Sequence, residues 1–233
     1  METIEILYRF GLHDGTAYAF TLTIDAKTLR MRIPETPSGA SWTLLASHQC
    51  SHCPLSTAKL THCPAALNIE SVIETLGFLI SHEKVHLEIE TAERRTSADV
   101  PAQNAISSIL GLAIATSGCP HTAFLKPMAR FHQPLASFEE TIFRVMGTYL
   151  TGEYLRGLEG PPMDVNLDRL NAIYQNLQTM NQSLASRLRA AQSLNDAGIN
   201  ALIILNCYAE CVPIFVDDEI DIIRRLFNDY LND

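Results

Sequence analysis

The chain has 233 residues, 47% of them hydrophobic, which is enough to bury a substantial core in one domain or in two small ones. Its formal net charge of -9 disfavours nucleic acid and anionic membrane surfaces as partners, because both are bound through basic surfaces. Its longest apolar stretches are shorter than the roughly 20 residues that cross a bilayer, so we expect no transmembrane segment.

The first third of the chain alternates apolar and polar residues, which is the pattern of half-buried strands. It predicts strands over residues 4–10, 18–24 and 29–33, and a fourth over 84–91. Before the fourth strand, Asn68 is the expected N-cap of an amphipathic helix. The pattern therefore predicts a small, mainly antiparallel sheet covered by one helix.

From Pro101 onward the apolar residues recur every three or four positions, which predicts helices to the end of the chain. The first of them covers residues 102–116 and ends at Gly118, a good left-handed residue after a helix. Ser137 and Glu140 form an S-x-x-E capping box, so we expect the next long helix to start there.

Two later helices carry further expectations. Residues 166–192 place apolar residues alternately three and four apart, which predicts packing on a neighbouring helix of the chain or, alternatively, the seam of a homodimer. Residues 201–207 are apolar on every face, so we expect a central helix that ends at Pro213. Cys207 and Cys211 are then expected to be core residues.

Together these patterns predict an α+β protein. The sheet, its covering helix and a cysteine-rich loop occupy residues 1–98, and an all-helical, bundle-like portion occupies residues 99–233. We expect the second portion to pack on the first as one unit.

Four of the six cysteines stand in turn-like segments: Cys50, Cys53, Cys63 and Cys119. No charged and apolar leader opens the sequence, so we expect a reducing, cytoplasmic compartment, where spaced thiols more often bind metals or do redox chemistry than form disulfides. A C-x-x-C turn directs two thiolates at one ion, and two further thiolates complete a tetrahedral set. We therefore expect one shared centre, and its thiols suit zinc and a 4Fe–4S cluster equally.

Basic side chains accompany these cysteines. His52, His62 and His121 stand beside them and are expected to donate to the thiolates or to replace one as a ligand. Arg130 and His132 follow Cys119 closely and are expected to shape a pocket near it. Such a cationic pocket would suit a small anionic ligand.

Five segments carry a resemblance to a known family: HQCSHCPL (48–55), HCPAALN (62–68), SGCPH (117–121), PMARFHQPLAS (127–137) and EETIFRVMGTYL (139–150). With these, the chain resembles a bacterial family known as a domain of unknown function, over most of residues 8–226. The resemblance implies that the four cysteines named above belong to the family pattern, whereas Cys207 and Cys211 do not match it. It implies no activity.

The leading hypothesis is an intracellular metal-site protein, whose centre joins the sheet to the helices or carries electrons or a redox signal. One alternative is a thiol-based redox or ligand-processing enzyme that uses Cys119 or the Cys50 and Cys53 pair. Another is a helical interaction module that works through residues 166–192. The sequence contains none of the Walker A, G-x-S-x-G, H-E-x-x-H or G-x-G-x-x-G signatures of standard enzyme classes.

Overall fold

The computed structural model describes residues 2–32, 39–191, 196–218 and 220–232. Within them, an antiparallel sheet has the spatial order β2-β1-β3-β4, and its strands are β1 (Thr3–Gly11), β2 (Ala17–Asp25), β3 (Lys84–Glu90) and β4 (Arg95–Pro101). The helices are α1 (Pro64–Leu76), α2 (Ala102–Ala115), α3 (Lys126–Arg130), α4 (Phe138–Leu158), α5 (Asp168–Ala190), α6 (Asp196–Asp218), α7 (Ile220–Arg225) and α8 (Asn228–Leu231). Short 3₁₀ helices cover Ser41–Thr43 and Pro120–Leu125. The predicted α+β class is confirmed.

The inner strand β1 holds the sheet together. It pairs along its full length with β2 and, through Leu7–Gly11, with β3. Its apolar residues Ile6, Tyr8 and Phe10 are buried, as the alternating pattern predicted. Behind the sheet, α2 packs on β3, β4, α1 and α6, so it lies at the centre of the molecule.

Two features of the sheet differ from the sequence prediction. The predicted strand 29–33 is wrong in its described part, because Leu29 takes a left-handed conformation with φ of 53° and Met31 makes only an isolated bridge to Ile24. Ile33 lies outside the described residues. In its place β4 forms the edge of the sheet, so the division predicted after residue 98 falls inside a strand.

Helix α1 begins earlier than predicted. Its N-cap is Cys63, and Pro64 occupies the first helical position. Asn68 is therefore not a cap but lies inside α1, where it is buried and its Nδ2 donates to the carbonyl of Ala113 at 2.9 Å. This hydrogen bond joins α1 to α2.

Helix α4 starts at the predicted capping box, which is confirmed. The Ser137 Oγ accepts from the Glu140 N–H at 3.2 Å, and the Glu140 carboxylate accepts from the Ser137 N–H at 2.7 Å. Helix α2 likewise follows its prediction, since it covers residues 102–115.

Helices α5 and α6 pack on each other within the chain. The repeat read from the sequence of α5 is buried there, including Leu177, Asn181 and Leu184. The homodimer through residues 166–192 stays a prediction. Two predictions for α6 are wrong. The helix does not end at Pro213, which lies inside it, and Cys207 and Cys211 are exposed instead of being core residues. One face of α6 packs on α2 and α5 while these cysteines lie on the other, so it is not buried on every side.

Helix α6 is also the most apolar long helix among the described residues. Its segment Asp196–Val216 is long and apolar enough to cross a membrane, and about a third of the most apolar part of this segment is buried within the chain. The bent pair Ala102–Ala115 and Pro120–Arg130 meets the same length and composition only if it is counted as one span. Core helices of soluble proteins have the same properties, so these segments are weak evidence for a membrane.

Candidate metal centre

The C-x-x-C segment forms a closed turn. The N–H of Cys53 donates to the carbonyl of Cys50 at 3.0 Å, and both side chains are half-buried against the core. The turn lies in a loop whose two ends meet, since the N–H of Cys63 donates to the carbonyl of Thr43 at 2.8 Å. Three cysteines therefore belong to one continuous loop, which ends where α1 begins.

Two Cys-Pro pairs place thiols at the beginnings of helices. Cys63 is the N-cap of α1, and Cys119 is the N-cap of the 3₁₀ helix Pro120–Leu125. Proline fits the first helical position because its missing N–H would have no partner inside the helix. Unpaired N–H groups at a helix start favour a thiolate nearby, so this position suits a metal ligand or a reactive cysteine.

The four predicted cysteines lie in one region of the molecule. Burial raises the pKa of the Cys119 thiol to about 12, with further increases from Cys63, Cys50 and Cys53, while the backbone N–H of His121 acts in the opposite direction. Burial also raises the pKa of Cys50, and Cys63 and Cys53 add to that increase. Thiols from two separate segments of the chain, the cysteine loop and the turn at Cys119, therefore come within electrostatic range of one another.

The side chains are not arranged as a finished ligand set. Among the described residues, no three His, Cys, Asp or Glu side chains are positioned to hold one ion. All six cysteines carry free thiols. Binding by the clustered cysteines would thus require both loss of their protons and reorientation of side chains.

One face of α5 contacts this region, and sequence analysis missed it. The residues involved are spaced four, three and four apart and are Asn176, Met180, Ser183 and Arg187. The Sγ of Cys119 lies 4.0 Å from the Sδ of Met180, and a hydrogen bond with Ser183 lowers the pKa of Cys50. The helical spacing was visible in the sequence, but the apolar repeat, which forms the neighbouring stripe of α5, is the stronger signal.

Arg187 is the most deeply buried charge near the cysteines, with 1% of its surface exposed. Its guanidinium donates to the backbone carbonyls of Trp42, Leu44 and Leu45. No carboxylate among the described residues forms an ion pair with it. Arg187 lowers the pKa of Cys50, so its positive charge favours a thiolate there.

His52 and His121 form a stacked pair, with ring centroids 4.0 Å apart and planes 13° apart. The Nε2 of His52 lies 3.0 Å from the carbonyl of Asn176, which can only accept, so Nε2 carries the hydrogen. In the neutral ring, Nδ1 is then an unprotonated acceptor, and it is buried without a hydrogen-bond partner among the described residues. The Nε2 of His121 donates to the carbonyl of His52 at 3.2 Å.

The tautomer of His62 follows from its neighbours. The Thr43 hydroxyl donates to the carbonyl of Ala40 at 2.7 Å and lies 2.8 Å from Nδ1 of His62. Because the hydroxyl has a single hydrogen, Nδ1 of His62 must donate to it. The Nε2 of His62 keeps its lone pair, which is the form that binds a metal ion.

Arg130 and His132 lie in different surroundings. Arg130 is exposed, and its guanidinium lies 5.3 Å from the centre of the Phe131 ring. His132 accepts or donates a hydrogen bond at 2.5 Å with the hydroxyl of Tyr8, and burial lowers its pKa to about 4, with a smaller contribution from Arg144. His132 lines a cavity of about 380 Å³ between the helices, whereas Arg130 does not.

The sequence profile of a family described as Domain of unknown function (DUF6901) matches residues 6–228. The chain belongs to this family. The DUF6901 match spans the sheet, the cysteine loop and the helices through α7, so these elements together are the family's unit. No curated protein and no solved structure matches the chain.

Proposed function

We propose that the protein carries a metal centre held by Cys50, Cys53, Cys63 and Cys119. The observation that supports this proposal is the approach of the three cysteines of the loop and of Cys119, more than 50 residues later in the chain, to one region. Four thiolates suit a tetrahedral zinc ion or a 4Fe–4S cluster. Since the cysteine loop and the helices then share one centre, its first role is to hold them together.

The charge around the cysteines supports the proposal. A zinc ion or an iron–sulfur cluster bound by four thiolates keeps a net negative charge, which must be compensated where solvent is excluded. Arg187 supplies a buried positive charge that no carboxylate of the described residues neutralises. The starts of α1 and of the 3₁₀ helix add partial positive charge beside Cys63 and Cys119.

The histidines fit a supporting role. His62 presents an unprotonated Nε2, and His52 a buried, unpartnered Nδ1, so each can accept a hydrogen bond or replace a thiolate as ligand. His52 and His121 also connect the C-x-x-C turn to the Cys119 turn. The two cysteine segments are therefore held side by side before a metal ion binds.

The alternative of a cysteine nucleophile has less support. A nucleophilic cysteine needs a lowered pKa, whereas burial raises the pKa of Cys119 to about 12. His132 is hydrogen-bonded to Tyr8 and lines the cavity between the helices, and the stacked His121 ring donates to the carbonyl of His52. Neither histidine is therefore hydrogen-bonded to a cysteine thiol as a base. Coordination to a metal would remove the thiol proton without a catalytic base.

We also propose a cytoplasmic setting, since all six thiols are free.

The test is metal analysis of protein purified without oxygen. We expect close to one zinc ion per chain, or iron with sulfide and a brown colour, and these results distinguish the two centres. Cys119→Ser should lose the metal and lower Tm by several degrees, because metal-binding free energy is also folding free energy and each kcal/mol is about 2–4 °C for a chain of this size.

Cys207→Ser is the matched control, because Cys207 is an exposed thiol on α6, away from the four cysteines. It should keep the metal content and Tm of the wild type. A metal-free wild-type protein would contradict the proposal, as would a Cys119→Ser variant that retains both its metal and its Tm.

A further inference from the structure

A cavity of about 380 Å³ lies among α2, α3, α5 and α6, beside the cysteine region. Its volume is within the range of roughly 300–1,000 Å³ that small-molecule sites occupy. Much of its wall is apolar, formed by side chains such as Leu112, Leu125, Met128, Leu177 and Leu205. No Asp or Glu of the described residues lines it, so the cavity contains no negative side chain from that part of the chain.

One cation lines this cavity. The Nη2 of Arg144 donates to the carbonyls of Met128 at 2.9 Å and Phe131 at 3.1 Å. Its Nε and Nη1 groups have no hydrogen-bond partner among the described residues, and no carboxylate there forms an ion pair with it. Burial lowers the pKa of Arg144, while Glu140, one turn earlier in α4, and Tyr174 act in the opposite direction without reversing the shift.

Two polar side chains of α5 line the same cavity. Tyr174 and Asn181 are each 5% exposed, and their spacing of seven residues places them on one face of the helix. Neither the Tyr174 hydroxyl nor the Asn181 amide has a hydrogen-bond partner within the described ranges. Neither residue is among those with a fully buried, unpartnered side-chain atom, so we infer that their polar atoms face the cavity, where a ligand could bond them. Arg144 lies close enough to Tyr174 to affect its pKa.

We propose that this cavity binds a small amphipathic carboxylate. The carboxylate would pair with the free N–H groups of Arg144 and accept from the Tyr174 hydroxyl, since guanidinium and carboxylate form two parallel hydrogen bonds. The apolar body of the ligand would fill the space toward Leu177 and Leu205, with Asn181 beside it. No cysteine lines the cavity, although Met180 lines it and also contacts Cys119. The ligand contacts proposed here use Arg144, Tyr174 and Asn181, so the inference does not depend on the metal centre.

The first test is isothermal titration calorimetry on the full-length protein, freed of bound lipid. The probes are decanoate, 4-phenylbutyrate and 1-decanol. The first two compare an aliphatic with an aromatic carboxylate, and decanoate against 1-decanol shows how much of the binding depends on the charged group. We expect saturable binding of at least one carboxylate, with a rise in Tm, and at least about ten-fold weaker binding of the alcohol. Absence of binding by both carboxylates, or equal binding of the alcohol, would overturn the proposal.

The second test uses Tyr174→Phe and Asn181→Leu, which remove the polar atoms and keep most of the side-chain volume. We expect the affinity for the bound carboxylate to fall about five-fold or more, while Tm of the ligand-free protein stays about the same, because neither substitution removes a hydrogen bond within the described residues. Tyr154→Phe, at an exposed tyrosine of α4, is the control and should leave affinity unchanged. Variants that lower the ligand-free Tm and keep wild-type affinity would show a structural role instead and refute the proposal.

Discussion

Burial keeps the thiol of Cys119 protonated in the metal-free chain, since its pKa is raised to about 12. Only the thiolate reacts with iodoacetamide, whereas Cys207 and Cys211 are exposed on α6. We predict that in chelator-treated protein at pH 8 the two exposed cysteines are alkylated at least about ten-fold faster than Cys119. Mass spectrometry of the tryptic peptides at successive times measures each rate.

The stability of the fold and the alkylation rate of Cys119 should both change as pH rises above 9. The pKa of Cys119 in the folded protein is higher than its ordinary value of 9.0, so the protonated thiol stabilises the fold fully below pH 9. This contribution is lost as pH rises toward 12, and alkylation of Cys119 should accelerate over the same range. Urea unfolding of the same protein serves as the reference, because all six cysteines should then react alike. Equal rates for Cys119 and Cys207 in the folded protein would show that Cys119 is not protected.

At the scale of single residues, the sequence identified the cysteines but not their surroundings. The proline after Cys63 and the one after Cys119 each occupy the first helical position, so each Cys-Pro pair starts a helix, which the sequence analysis did not predict. Arg187 was not found at all, because a lone arginine in a polar-looking helix gives no sign of burial. Its partners are backbone carbonyls more than 140 residues away, which no local pattern records.

At the scale of elements, the capping box of α4 is a local device whose stability can be measured. Ser137→Ala removes the oxygen that accepts from the Glu140 N–H and should lower the free energy of unfolding by about 1 kcal/mol. Ser137→Asp should retain most of that stability, because aspartate also caps helices well. Urea denaturation followed by circular dichroism makes the comparison. Equal stability of the alanine and aspartate variants would mean that the hydrogen bond does not limit α4.

Patterns of burial explain which elements the sequence predicted. Strands β1 and β3 alternate large apolar residues, and the sequence placed both. Strand β4 was missed because it is an edge strand in which no residue is fully buried, so it shows no apolar alternation. The segment before Pro213 was assigned to the core from its composition alone, yet α6 continues to Asp218 and leaves one face uncovered.

At the scale of the whole molecule, one hydrophobic core continues across the predicted division at residue 98. Residues of β1, α1, α2, α5 and α6 all contribute to it. Helix α2 follows β4 directly, so the helical portion starts inside the core of the sheet portion. The cysteine loop lies at the edge of this core, and part of it packs on the core. Its connections to the helices include the hydrogen bond of His52 to the carbonyl of Asn176, the stacked His52 and His121 rings and the buried Arg187.

Arg187 is the charged contact through which α5 holds the cysteine loop, beside the hydrogen bonds of Asn176 with His52 and of Ser183 with Cys50. Its removal should therefore affect both the fold and the centre. Arg187→Met removes the guanidinium donor of the Trp42 and Leu45 carbonyls and leaves the Leu44 carbonyl only the N–H of Ser47, so we expect a loss of about 3 kcal/mol in the free energy of unfolding. The metal content of the variant should fall as well, because the positive charge beside Cys50 is gone.

Arg189→Met is the matched control, since Arg189 lies on the same helix but is exposed. It should change the free energy of unfolding by less than about 0.5 kcal/mol. Arg187→Lys keeps the charge but cannot donate to three carbonyls in the same way, so it should retain more metal than Arg187→Met while still losing stability. Urea denaturation with and without chelator separates the two contributions. If Arg187→Met were as stable as Arg189→Met in both conditions, the buried guanidinium would not be what joins the loop to α5.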